Sequence, residues 1–132
     1  MRRQFTLPEG DESHLRARAL VWESTIENGV RWLLLHDFPV PNGYNQARVM
    51  AAVKIETGYP DTPLDMVYFY PALARLDGKP IGALTAQTLD GKSWQRWSRH
   101  RTAQNPWRPG EDDLSSHLAL VEHWLEREML KG

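Results

Sequence analysis

The chain of 132 residues contains no cysteine. Thioester carriage, thiolate zinc sites, iron–sulfur clusters and disulfides are therefore all closed to it. Nor does it have an apolar run near the ~20 residues that a membrane-spanning helix needs. The longest cluster, Val30 to Phe38, is broken by Arg31, His36 and Asp37, and no membrane association is expected. Neither sign of charge dominates: 16 Lys and Arg stand against 17 Asp and Glu, for a net charge of −1. Attraction to nucleic acid or an anionic surface would need a local patch. No apolar segment follows Arg2 and Arg3, so a secretory signal is not expected, and with no disulfides the expected compartment is the cytoplasm. No glycine-rich phosphate loop occurs; Asp77-Gly78-Lys79-Pro80 and Asp90-Gly91-Lys92 read as ordinary turns. The five histidines, His14, His36, His100, His117 and His123, include no pair spaced four apart. They give no converging ligand set, so neither a metal nor another cofactor is expected.

What is present suits one globular domain over residues 1–132, with 41% hydrophobic and 25% charged residues. Asp11 to Ala19 reads as a short N-terminal helix, with Leu15 and Ala19 one turn apart. Leu20 to Ile26 and Val30 to Phe38 read as two strands joined at Asn28-Gly29, a dipeptide suited to a turn whose central residues both need positive φ. On the returning strand, Val30, Trp32, Leu34, His36 and Phe38 should share a face. Ala47 to Glu56 alternates cleanly. Ala47, Val49, Ala51, Val53 and Ile55 form an apolar side opposite a mostly polar one, which predicts one buried and one wet face. Leu64 to Tyr70 reads as a fourth strand. Asp112 or Asp113 can cap a helix running to about Leu130, with Leu114, Leu118, Val121 and Leu125 on one stripe and His117 on the same side. The expected architecture is α+β: a four-stranded antiparallel meander, a long irregular segment and a packed C-terminal helix.

The densest chemistry lies at residues 92–109. This stretch holds Trp94, Trp97 and Trp107, five basic residues and no acidic one. Trp94 and Trp97 could stack bases while Arg96, Arg99 and Arg101 hold phosphates. Alternatively, the indoles anchor a loop on the sheet and the arginines pair with Glu111, Asp112 and Asp113. Balanced total charge favours the anchoring role over nucleic acid. Ser98 and His100, two apart, fall on one side of an extended segment, but no nucleophile-elbow pattern surrounds any serine.

The order of elements, with Trp22-Glu23, Pro41-Asn42-Gly43-Tyr44, Gly58-Tyr59-Pro60, Leu64-Asp65-Met66, Trp94-Gln95-Arg96-Trp97-Ser98-Arg99-His100 and Trp107-Arg108-Pro109-Gly110-Glu111-Asp112, resembles the ubiquitin-conjugating fold. More closely, it resembles the prokaryotic ubiquitin-conjugating-like proteins of family E, whose genes tend to lie beside ubiquitin-like modifiers, an activating-enzyme homologue and a metalloprotease-type deconjugase. The resemblance implies a role in a bacterial ubiquitin-like modification pathway. The conjugating family's catalytic cysteine lies between the fourth strand and the Trp-x-Pro element, where this chain has none, and its His-Pro-Asn element is replaced by Tyr70-Pro71-Ala72-Leu73. Two roles survive. The chain is a cysteine-less partner that binds the modifier or its activating enzyme through Trp94, Arg96, Trp97, Arg99, His100 and Arg101. Otherwise it is an acyl carrier that forms an oxyester on Ser98 with His100 as base. The first is preferred, because an unassisted serine is a weak nucleophile. It requires part of Trp94 or Trp97 to be exposed and Arg96, Arg99 and His100 to line one concave patch.

Overall fold

In the computed structural model, which describes residues 1–131, helices α1 (Glu9–Ala17) and α2 (Leu114–Met129) accompany six strands. The strands are β1 (Trp22–Glu27), β2 (Val30–Pro39), β3 (Arg48–Ile55), β4 (Val67–Tyr70), β5 (Leu84–Leu89) and β6 (Lys92–Trp97). They form one antiparallel sheet in the order β1-β2-β3-β4-β6-β5. The α+β class stands, but the four-stranded meander is corrected to six strands. The extra pair is a hairpin closed by Asp90 and Gly91, both at positive φ (52° and 73°), as are Asn28 and Gly29 (52° and 77°) in the first hairpin. Two-residue turns of this hand match the twist of the strands they join. The segment expected to be irregular thus carries two strands, over residues 84–89 and 92–97.

The main core lies between one sheet face and the helices. Val49, Ala51, Val53 and Ile55 of β3 and the stripe Leu114, Leu118, Val121 and Leu125 of α2 are all buried there. Each such Val, Ile or Leu side chain contributes about 1.5–3 kcal/mol relative to exposure. Asp113 caps α2 as the sequence allows: its carboxylate accepts the Ser116 amide at 3.2 Å, and Ser116 Oγ accepts the Asp113 amide at 3.0 Å. Phe38 does not share a face with Trp32 and Leu34. One extra residue in β2 between Leu35 and Phe38, with Asp37 at φ 51°, turns Phe38 into the main core beside Leu33 and Leu35. Such a bulge reverses the alternation beyond it.

The other sheet face is not wet. Trp32, Leu34, Ala52, Tyr68, Leu89 and Trp94 form a second buried cluster there. The sheet closes over that face itself. Residues 2–4 run along the outer edge of β1, where Gln4 N donates to Ser24 O and Ser24 N to Arg2 O. Arg2 donates to both carboxylate oxygens of Asp90 at 3.0 and 2.8 Å and to Glu23 at 2.8 Å. The Asp90 amide reaches Glu27 Oε1 at 3.0 Å. The β5–β6 turn thus touches the far side of the sheet, which only a curled sheet permits.

Candidate functional site

The Trp94-Gln95-Arg96-Trp97 motif fills both cores at once, because alternate residues of a strand point to opposite faces. Trp94 enters the second cluster at 1% exposure, with its indole N–H donating to Leu89 O at 2.9 Å. Trp97 enters the main core at 0% exposure and donates to Gln95 Oε1 at 2.9 Å. Gln95 also binds the Leu73 amide and carbonyl, at 3.0 and 2.9 Å. The expectation that part of either indole is exposed is therefore corrected. With indole N–H groups satisfied and rings packed edge-on against Phe69 and tilted against Tyr70, both belong to the interior. Arg96 pairs across from Tyr68 on the second face, away from Arg99 and His100, so the single patch expected of the three is corrected as well.

The accessible chemistry begins where β6 ends. Arg99 lies over the Trp97 ring at 4.9 Å, donates to Gly82 O at 3.0 Å and stands 3.5 Å from the buried Glu128 carboxylate. Arg101 lies over Trp107 and 3.7 Å from Asp112. Pairing with residues 111–113 therefore holds for Arg101 and not for Arg99. His100 is exposed between them, and its Nδ1 lies 2.7 Å from Asp65 Oδ2. Two grooves flank it. One, of about 290 Å³, runs over Ser98, Arg99, Arg127 and Lys131 with Glu128 at its base. The other, of about 410 Å³, is mostly apolar and runs over Pro63, Leu64, Pro106 and Trp107. Ser98 and His100 line the first groove together, but no hydrogen bond joins them among the described residues.

Beneath this surface, α2 steadies the loop. Buried His117 faces Met66 O through Nε2 at 2.9 Å, which fixes the proton on that nitrogen. Burial pushes its pKa from 6.5 down to about 4. Met66 sits at φ 57°, and its amide donates to Arg99 O at 3.2 Å. Asp65 and the Ser98–His100 segment are thus held by one chain of contacts. Trp107 is tied to the Tyr59-Pro60 turn: its indole N–H donates to Pro60 O at 3.0 Å, and its ring lies 6.2 Å from that of Tyr59. Tyr59 in turn donates to buried Asp11 at 2.5 Å, and Asp11 also accepts the Leu114 amide. Desolvation raises the pKa of Asp11.

A family model described as Prokaryotic E2 family E matches residues 7–128. The chain belongs to this family. No curated protein and no solved structure gives a match. Within family E, the motifs that carried the resemblance acquire structural reasons here. Gly43 passes so close to α2 that a Cβ would stand 2.3 Å from Met129 Sδ, and Tyr44 donates to Leu125 O at 2.6 Å. Tyr59-Pro60 and Trp107 are two halves of one contact. Asp65 and Met66 lie in the Leu64-Asp65-Met66 motif, which by itself assigns them no role. The apolar stripe of α2 puts His117 on the core side but does not reveal its hydrogen bond to Met66 O. Asp65 had one visible signal, an acidic residue in the motif next to β4; no signal marked the His117–Met66 contact.

Proposed function

We propose that this chain acts in a bacterial ubiquitin-like modification pathway as a binding component, without thioester transfer. Its partner is the modifier or its activating-enzyme homologue. The observation that supports this is the pairing of family E membership over residues 7–128 with a sequence devoid of cysteine. The docking surface is the exposed His100 with Ser98, Arg99, Arg101 and Trp107 along the two grooves. The apolar floor and half-buried arginines there are the residue types that concentrate binding energy. Trp94 and Trp97 set the strand behind the surface and make no contact themselves.

One observation favours a second reading. Asp65 fixes Nδ1 of His100, which leaves Nε2 free as a base beside Ser98. In that role, Ser98 Oγ would attack an activated modifier carboxyl, the adenylate would leave, and His100 would take the hydroxyl proton, giving an oxyester. One experiment separates the two. The chain is incubated with modifier, activating enzyme and ATP, and complexes are resolved before and after hydroxide. The binding role gives a noncovalent complex that His100→Ala or Trp107→Ala weakens roughly tenfold, the scale of one hot-spot contact, with no hydroxide-labile adduct. A labile adduct lost in Ser98→Ala overturns it in favour of the oxyester.

A further inference from the structure

Trp22, Trp32, Trp94, Trp97 and Trp124 are buried, whereas Trp107 is only partly buried and walls the apolar groove beside His100. One side of that groove is formed by Thr62, Pro63 and Leu64, at and after the 58–62 turn, and the other by Pro106 and Trp107. The two walls come from distant parts of the chain. They are joined where Trp107 meets the turn, through its hydrogen bond to Pro60 O at 3.0 Å and its tilted contact with the Tyr59 ring.

Behind that joint stands a buried carboxylate. Asp11, in the first turn of α1, is 2% exposed. Its partners are neutral: the Tyr59 hydroxyl at 2.5 Å on one oxygen and the Leu114 amide at 3.4 Å on the other. No lysine or arginine pairs with it among the described residues. A charge buried without a counter-charge is costly, and an apolar residue there would dock α1 more cheaply. Anchoring of α1 does not require it, since Leu15 enters the main core from the same helix. What the carboxylate can do, and an apolar side chain cannot, is hold two ends at once. Residues 107–114 run from the groove wall to the start of α2. Leu114 bonds Asp11 directly, and Trp107 reaches it through Tyr59. Between those ends the loop closes on itself: Asp112 N donates to Arg108 O at 2.8 Å, and Arg108 N to Asp112 Oδ2 at 2.7 Å.

We propose that Asp11 is a positioning residue for the apolar groove: through Tyr59 it holds Trp107 against the 58–62 turn, and so sets the width open to an incoming apolar side chain. Asp11 lies outside the groove lining and acts only through these bonds. That the groove docks a partner rests on the role proposed above; the link from Asp11 to Trp107 does not.

Iodide quenching of tryptophan fluorescence reads this link on the intact chain, because the ion reaches Trp107 and not the buried indoles. Asp11→Ala should raise quenching about twofold as the wall opens locally. Asp11→Asn should keep wild-type quenching, since its amide can donate to the Tyr59 oxygen and accept from Leu114 N. Leu15→Ala is the control for a merely structural effect. It should lower Tm through a core cavity and leave quenching, measured well below Tm, unchanged. Tyr59→Phe removes a single oxygen and should raise quenching whether or not Asp11→Ala folds; circular dichroism reports folding of each variant. A folded Asp11→Ala or Tyr59→Phe with wild-type quenching overturns the proposal. So does Asp11→Asn or Leu15→Ala quenched as strongly as Asp11→Ala. No partner enters the measurement, so failure to form a complex with modifier or activating enzyme would refute the docking role and leave this link standing.

Discussion

His117 carries a pH dependence that can be isolated. Burial holds its folded pKa at about 4, against 6.5 when free, so between those values the unfolded chain binds more protons. Its contribution to stability is complete above pH 6.5 and is lost as pH falls to about 4, by roughly 3 kcal/mol. His117→Gln keeps a donor near Met66 O and cannot titrate. Urea denaturation from pH 7 to 4 should show a flatter decline for the variant, and equal slopes would refute the assignment. The residues of the Trp/Arg motif should divide sharply in the same assay. Trp97→Ala should lose about 3–5 kcal/mol through cavity formation. Gln95→Ala, which strands the Trp97 indole and the Leu73 amide, should lose about 1–3 kcal/mol. His100→Ala, at the surface, should stay within about 0.5 kcal/mol. Indole burial was not legible from residues 92–109, because a strand buried on both faces has tryptophans at both parities and shows no alternation.

Among the elements, β3 and α2 were readable because their main-core residues are all apolar, which leaves a period of two in Val49 to Ile55 and of 3.6 in Leu114 to Leu125, even though the second face of β3 is covered as well. The β5–β6 hairpin was not. Thr85, Ala86 and Thr88 are exposed, so β5 lacks an apolar stripe. The clue that remained was Asp90-Gly91, equivalent in backbone geometry to the Asn28-Gly29 turn that did reveal the first hairpin. Gly91→Val places a β-branched side chain at φ 73° and should lower stability by about 1–2 kcal/mol or more. A Tm unchanged from wild type would argue against the two-residue turn. Asp113→Ala, removing the carboxylate that accepts the Ser116 amide, should cost ~1 kcal/mol, seen as a lower Tm with native secondary structure.

The molecule as a whole has two cores separated by one sheet, and the second depends on ion pairs at the sheet's margin. Hydrogen bonds from Arg2, then from His36, hold the Glu23 pKa at about 2, against 4.5 when free. The unfolded chain again binds more protons in that interval. The stability tied to Glu23 is complete above pH 4.5 and is lost as pH falls towards about 2; Glu23→Gln should remove that part of the acid transition. Arg2→Ala should loosen the closure and raise acrylamide quenching of Trp32 and Trp94, while leaving Trp97, on the other face, shielded. The candidate site was half legible at this scale. The sequence motif pointed to Ser98, Arg99, His100 and Arg101. It could not show that the sheet turns Trp94 and Arg96 the other way, nor that Asp65, Met66 and His117 meet them from distant parts of the chain.

The Arg2–Asp90 contact spans 88 residues. On a ribosome adding about 5–20 residues per second, Asp90 is made roughly 4–18 s after Arg2. Until the hairpin that carries Leu89 and Trp94 has been made, Trp32 and Leu34 are unroofed and available to whatever the nascent chain meets.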